Sequence, residues 1–241
     1  MPSLNEITFS ILESVRHGRS TNNEYIDERL VQYYIKQYRA LLLRRDADRN
    51  GDMGAGSRLV EFEQTLPEVK FRLVPQTEKG AFGSPMIDSP LLRTGPLPSL
   101  VRLKRFPGIT YVGSTGREKN YDLVTYHSVN WRRRFSKYTS SGPYSTIIDD
   151  RLFIINPDDR AGQFDPNIDH LYVVRGVFED PLKAAEFGGI LMDADSDNYP
   201  VPADFAQRLS QSILNGELAV LLNSPNDTVL NTLPDEVNST V

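Results

Sequence analysis

Apolar residues recur at helical spacing at both ends of the chain and in short strand-like runs through its middle. Near the amino terminus Leu4, Ile7, Ile11 and Val15 mark one face of a helix. Ser3 and Glu6 form a capping-box pattern at its start, satisfying donors that a helix end leaves orphaned, and Gly18 marks its end. A second such pair, Thr21 and Glu24, precedes a longer stripe of Ile26, Leu30, Tyr33, Tyr34, Tyr38, Leu41 and Leu42. Together these stretches predict an antiparallel helical hairpin joined by a short loop. A hairpin alone cannot bury both stripes. It needs the rest of the chain or another subunit.

The pattern changes after residue 50. Gly51, Gly54 and Gly56 read as a flexible turn. Beyond it come short β-type runs at Arg58–Phe62, Val69–Val74, Leu100–Leu103, Ile109–Val112, Tyr121–Tyr126, Ser145–Ile148, Leu152–Ile155 and Leu171–Phe178. Asp149-Asp150 between two of them predicts a tight hairpin. Residues 76–98 differ: Pro85, Pro90, Pro96 and Pro98 mix with Gly80, Gly83 and Gly95, with little periodicity. They read as an extended arm, uncommon in a compact monomer and sensible when laid across a neighbour.

Helical spacing returns near the carboxy terminus. Asp180 is a good N-cap and Pro181 suits the first helical position, so Leu182–Phe187 is predicted as a short helix. A polar loop spans Asp193–Tyr199. Phe205, Leu209, Ile213 and Leu214 then place a helix from Asp204 to about Leu222, with Gly216 a candidate break. The predicted fold is α+β: an amino-terminal α-helical hairpin (1–50), a β-rich middle of short antiparallel strands with a long Pro/Gly-rich arm (51–179), and a carboxy-terminal helix with a polar tail (180–241). The three zones read as one cooperative unit.

Composition narrows the functional classes. Apolar residues are 39% of the chain and aromatics 10%, enough for a real core. The net charge of −5 argues against a dedicated nucleic-acid binder without excluding a local basic patch. With no cysteine there is no disulfide, zinc–thiolate site or thiol nucleophile. The sequence Met1-Pro-Ser-Leu-Asn-Glu lacks a basic segment followed by an apolar one, so no secretory leader is expected. No apolar run approaches the roughly 20 residues that span a bilayer.

Candidate chemistry is sparse. His17, His127 and His170 do not sit at ligand spacing, and His170 reads as a half-buried strand residue. Asp46, Asp48, Asn50 and Gly51 match the first half of a calcium loop, but Ser57 stands where a bidentate carboxylate belongs. Asp193, Asp195, Asp197 and Asp204 give a second partial match, with Asn198 in place of glycine and Pro200 and Pro202 stiffening the loop. Both read as solvated turn residues. No phosphate loop and no nucleophile elbow is present. No cofactor, metal or catalytic residue is assigned, and the chain reads as non-enzymatic.

The basic clusters carry more information. Trp131 precedes Arg132, Arg133 and Arg134; Arg102, Lys104 and Arg105 form a second group, and Arg44 and Arg45 a third. Arginine interleaved with aromatics can hold a nucleic-acid backbone. The same residue types are enriched at protein interfaces. The negative net charge favours the interface, and Arg132–Arg134 are the candidates for contact with DNA.

Three segments together look familiar: Arg29-Leu-Val-Gln-Tyr-Tyr-Ile-Lys-Gln-Tyr-Arg-Ala-Leu-Leu, Leu103-Lys-Arg-Phe-Pro-Gly-Ile and Tyr172-Val-Val-Arg-Gly-Val-Phe-Glu-Asp-Pro. Their order resembles head–tail connector (adaptor or ring) proteins of short-tailed bacteriophages, including crAss-like phages. The resemblance implies a virion structural protein of the neck or tail, assembled in the host cytoplasm. It implies a homo-oligomeric ring of roughly twelve copies between the portal protein and tail tube or nozzle proteins. Viral DNA would pass through without sequence-specific binding, and no membrane would be involved. The alternative from the arginines alone is a DNA-binding or packaging accessory protein.

Overall fold

The computed structural model describes residues 1–16, 26–80, 90–101, 108–116, 119–134, 143–157 and 168–219, with residues 16, 47–59, 130, 133 and 134 described by their backbone alone. Helix α1 (Leu4–Arg16) starts on the predicted capping box. Ser3 N donates to Glu6 Oε2 at 2.9 Å and Glu6 N to Ser3 Oγ at 3.1 Å. Its stripe of Leu4, Ile7, Ile11 and Val15 is buried.

Helix α2 (Glu28–Leu59) is longer than the pattern suggested. Gly51, Gly54 and Gly56, expected to form a turn, lie on it, and residues 58–62, expected as a strand, are its end and a following 3₁₀ turn, Val60–Phe62. Glycine costs about 1 kcal/mol at a helix position, but extending a formed helix needs no new nucleus. Asp46, Asp48, Asn50 and Gly51 are therefore helical and form no calcium-type loop. The capping pair Thr21 and Glu24, Gly18 and His17 lie outside the described residues.

The buried stripe of α2 also differs from the expected one. It is Val31, Ile35, Arg39, Leu42 and Leu43, while Tyr33 and Leu41 are each 55% exposed. Two apolar stripes run along this helix about a quarter turn apart, and the inner one carries the β-branched residues. That stripe packs on α1 and on α6 (Ala203–Asn215), whose Phe205, Leu209 and Ile213 complete a three-helix core. Helix α6 ends at Asn215 with Gly216 as its cap, at the candidate break; residues 217–219 are helical again, and residues 220–222 lie outside the described residues.

The middle of the chain forms a seven-stranded sheet in the order β3-β7-β1-β2-β6-β5-β4. The strands are β1 (Gln64–Leu73), β2 (Leu91–Pro96), β3 (Ile109–Ser114), β4 (Asp122–Leu123), β5 (Tyr144–Ile148), β6 (Arg151–Ile155) and β7 (His170–Gly176). Every pairing is antiparallel except β4 with β5. The fold is α+β as predicted. The presumed arm is corrected in part: Gln76–Lys79 is a short helix, α3, and Leu91–Pro96 is β2, a central strand. Residues 81–89 lie outside the described residues. The predicted strand Tyr121–Tyr126 shrinks to β4, because Tyr126 opens helix α4 (Tyr126–Arg134).

Alternation along β2 and β6 feeds two cores. Leu92, Leu152 and Ile154 face one way, with Ala184 of α5 (Pro181–Phe187); Leu91, Phe153 and Ile155 face the other, with Val129 of α4. Pro67 sits inside β1 where the register with β7 shifts between Leu66 and Val69. A bulge is where an inner strand tolerates proline.

Candidate functional site

The outward stripe of α2 lines an open concavity. Tyr33, Tyr34, Tyr38 and Leu41 face a groove of about 810 Å³, closed opposite by Pro98, Ser99 and the start of α5. Tyr33 and Tyr34 meet edge to face with ring centroids 5.8 Å apart. Two ion pairs cross the groove. Lys36 Nζ lies 2.9 Å from Asp180 Oδ2, and Arg44 pairs with Glu179. Asp180 serves twice, because its Oδ1 also accepts from Leu182 N at 3.2 Å and caps α5. A neighbouring recess of about 650 Å³ shares Arg44, Pro98, Ser99 and Glu179 and reaches Ile147, Asp149 and Asp150 of the β5–β6 hairpin. The two adjoin as one open trough, lined by aromatic and aliphatic side chains interleaved with charged ones.

Behind the trough Arg39 is wholly buried. Its guanidinium donates to the carbonyl of Phe178, and at 3.4 Å to those of Pro200 and Phe62. It stacks 5.8 Å from the Tyr199 ring. Burial lowers its pKa from the ordinary arginine value, with Tyr199 and Asp180 opposing that shift. Among the described residues no carboxylate pairs with it. A buried guanidinium is tolerated because carbonyls from three segments converge on it, and hydrogen bonds from a charged donor contribute about 1.5–3 kcal/mol each when well formed. The clamp fixes α2 against the end of β7, which sets the shape of the trough. A sequence signal existed: Arg39 interrupts the four-residue spacing of Ile35 and Leu43.

The arginines singled out from sequence disperse. Arg44 lies in the trough, while Arg45 is exposed beside it on α2 and does not line it. Trp131 is 56% exposed on α4. Arg132 is held within the chain, 3.8 Å from Asp122 and 5.3 Å over the Tyr144 ring. The side chains of Arg133 and Arg134, and all of Arg102, Lys104 and Arg105, lie outside the described residues. Sequence reading missed a fourth basic group, Lys70, Arg72, Arg93 and Arg151, that line one recess of about 390 Å³ with Asp169. Strand pairing assembles it, and no linear run announces it.

His127 lies in the first turn of α4 and His170 opens β7, half-buried as expected. The Asp193 loop is stitched by its own hydrogen bonds, with Asp193 N donating to Asp197 Oδ2 at 2.7 Å and Asp195 N to Asp193 Oδ1 at 3.2 Å. Asp46 accepts a two-pronged pair from Arg208, both bonds at 2.9 Å. The described residues hold no cluster of three or more groups able to bind a metal. Among them, no helix is long and apolar enough to cross a membrane.

The family model of phage tail ring protein 2 matches residues 6–236. The chain belongs to that family. It is a structural component of a phage tail, and no curated protein matches it.

The segment Tyr172–Pro181 shows how this tail ring protein spends its residues. Tyr172 and Val174 face the sheet core, and Val177 and Phe178 are fully buried. At Gly176 a Cβ would lie 2.6 Å from the Gly108 carbonyl, so β3 can approach only a glycine there. Phe178 offers its carbonyl to Arg39, Glu179 meets Arg44, Asp180 caps α5, and Pro181 fills its first turn. One short segment joins the sheet to both walls of the trough.

Proposed function

We propose that the chain is one subunit of a closed ring that joins the portal to the tail of a short-tailed phage, surrounds the DNA exit channel and works by shape without catalysis. The observation that carries this reading is the outward face of α2. Tyr33 and Leu41 stay more than half exposed beside an open trough, although the helix already has a buried stripe. A row of aromatic and aliphatic side chains interleaved with charges is the composition of a protein interface. In a ring of roughly twelve copies each subunit presents this trough to a feature of the next, a head-to-tail contact that closes on itself. Arg44 belongs to that contact, Trp131 offers a second one toward portal or tail components, and Arg45, Arg102, Lys104, Arg105 and Arg132–Arg134 are the remaining candidates for interface or DNA proximity. The hairpin, sheet and carboxy-terminal helix act as one folding unit, since Arg39 ties them together.

The test is the assembly state of the full chain and of a variant carrying Tyr33→Ser and Leu41→Ser, measured by light scattering and negative-stain imaging, alone and with portal. Both positions are exposed, so unfolding stability should move by less than about 0.5 kcal/mol, while ring formation weakens at least about tenfold. Rings that form equally well from the variant would remove the trough from the interface. A chain that stays solitary even with portal would remove the ring.

A further inference from the structure

The recess over β1, β2 and β6 gathers positive charge in a chain whose net charge is −5. Lys70 and Arg72 are two apart on β1, hence on one face. Arg72 is the register partner of Arg93 on β2, and Arg151 opens β6 opposite Pro96. Like charges directly opposite across a strand pair are destabilising, and the sheet accepts two guanidinium groups in that position. The acids nearby neutralise only half of the group. Asp169 pairs with Arg72 and Glu78 with Arg93, at 2.5 and 3.0 Å. Asp169 is held below the usual carboxylate range, first by its hydrogen bond from Arg72. Four cations against Asp169 and Glu78 leave a local excess of two positive charges. Two arginines set opposite one another break a local rule, and such breaks concentrate at functional sites.

We infer that Lys70, Arg72, Arg93 and Arg151 form a docking site for the phosphate backbone of double-stranded DNA, read without regard to sequence. This rests on the ring reading, which brings DNA past every subunit. Guanidinium forks match phosphate oxygens in pairs. An acidic peptide would also meet the charge, but a peptide interface needs buried apolar anchors, and the recess offers only Phe187 and Pro96 beside its polar wall. Because two of the arginines must leave carboxylates to engage phosphate, the contact is weak and readily exchanged. That suits a surface past which DNA slides.

The experiment measures binding of the full chain to a fluorescent duplex of about 20 base pairs and arbitrary sequence, by anisotropy, across a salt series. The slope of log affinity against log salt should lie between about −2 and −4. Lys70→Gln and Arg151→Gln, neither of which breaks an ion pair among the described residues, should each flatten it by about 0.9 and together weaken binding at least about tenfold at low salt. Arg208→Gln on α6, whose partner is Asp46, should leave it unchanged. Binding that ignores the Lys70 and Arg151 variants, or a flat salt response, overturns the site. So does failure to bind DNA while a peptide of residues 225–241, which carries Asp227, Asp235 and Glu236 and no basic residue, binds and is lost in the same variants. Images of the same samples separate the two readings: rings without DNA binding reject the site alone, and salt-dependent binding without rings rejects the ring alone.

Discussion

Tyr199 packs its ring against the Arg39 guanidinium in the helical core, and its hydroxyl has no hydrogen-bond partner among the described residues. Burial, opposed by Arg39, pushes the phenol from 10.0 up to about 12. A group whose pKa is raised by folding contributes stability that is complete below the unfolded value. That contribution drains away as pH climbs from about 10 through about 12. A shift of this size amounts to about 1.4 kcal/mol lost by pH 11. Tyr199→Phe keeps the ring and discards the ionisation. Urea unfolding at pH 8 should show the variant no less stable than the parent, because no hydrogen bond is removed. Above pH 10 the variant should become the more stable. Profiles that stay parallel to pH 11 would show the phenol to be reachable by water in the folded chain.

Among the elements, the β5–β6 hairpin exposes a backbone preference that its residues serve poorly. Asp149 and Asp150 have φ values of 47° and 56°, the left-handed pair of a two-residue turn. Aspartate tolerates that region at a cost of about 1 kcal/mol, while Asn-Gly occupies it readily. Asp149→Asn with Asp150→Gly should therefore raise Tm by about 2–4 °C. A fall would mean that contacts of the two carboxylates outweigh the backbone gain. This turn was legible in the sequence, as were the Ser3–Glu6 box and the Asp180–Pro181 start of α5, because each signal is local and acts within four residues. What escaped reading is non-local. Strand β2 hides in a Pro/Gly-rich stretch because Leu91 and Leu92 are buried on opposite faces and show no alternation. The bulge at Pro67 breaks the period of β1 before it can be seen. The inner stripe of α2 lost to its tyrosines because both are apolar at helical spacing, and only packing against α1 and α6 decides between them. The Lys70 group exists only once register sets Arg72 beside Arg93.

For the whole molecule, the trough and the basic recess make opposite demands on ionic strength. Copies of a chain with net charge −5 repel when brought together. Their proposed contact runs along Tyr33, Tyr38 and Leu41, whose burial does not depend on charge. Raising salt from about 50 to about 300 mM shortens the Debye length from about 14 to about 6 Å. Ring formation should hold or increase, because repulsion is screened and apolar burial is untouched. DNA binding at the recess should fall about 100-fold over the same range if three phosphates are neutralised. Light scattering and anisotropy on one sample set read both at once. If assembly and DNA affinity fell together, copies would be held by the charged groups, Lys36 with Asp180 and Arg44 with Glu179, and the aromatic side chains would be incidental. Opposite trends would mean that the chain separates its two tasks physically, fixing neighbours through apolar area and letting DNA go through charge that salt can screen.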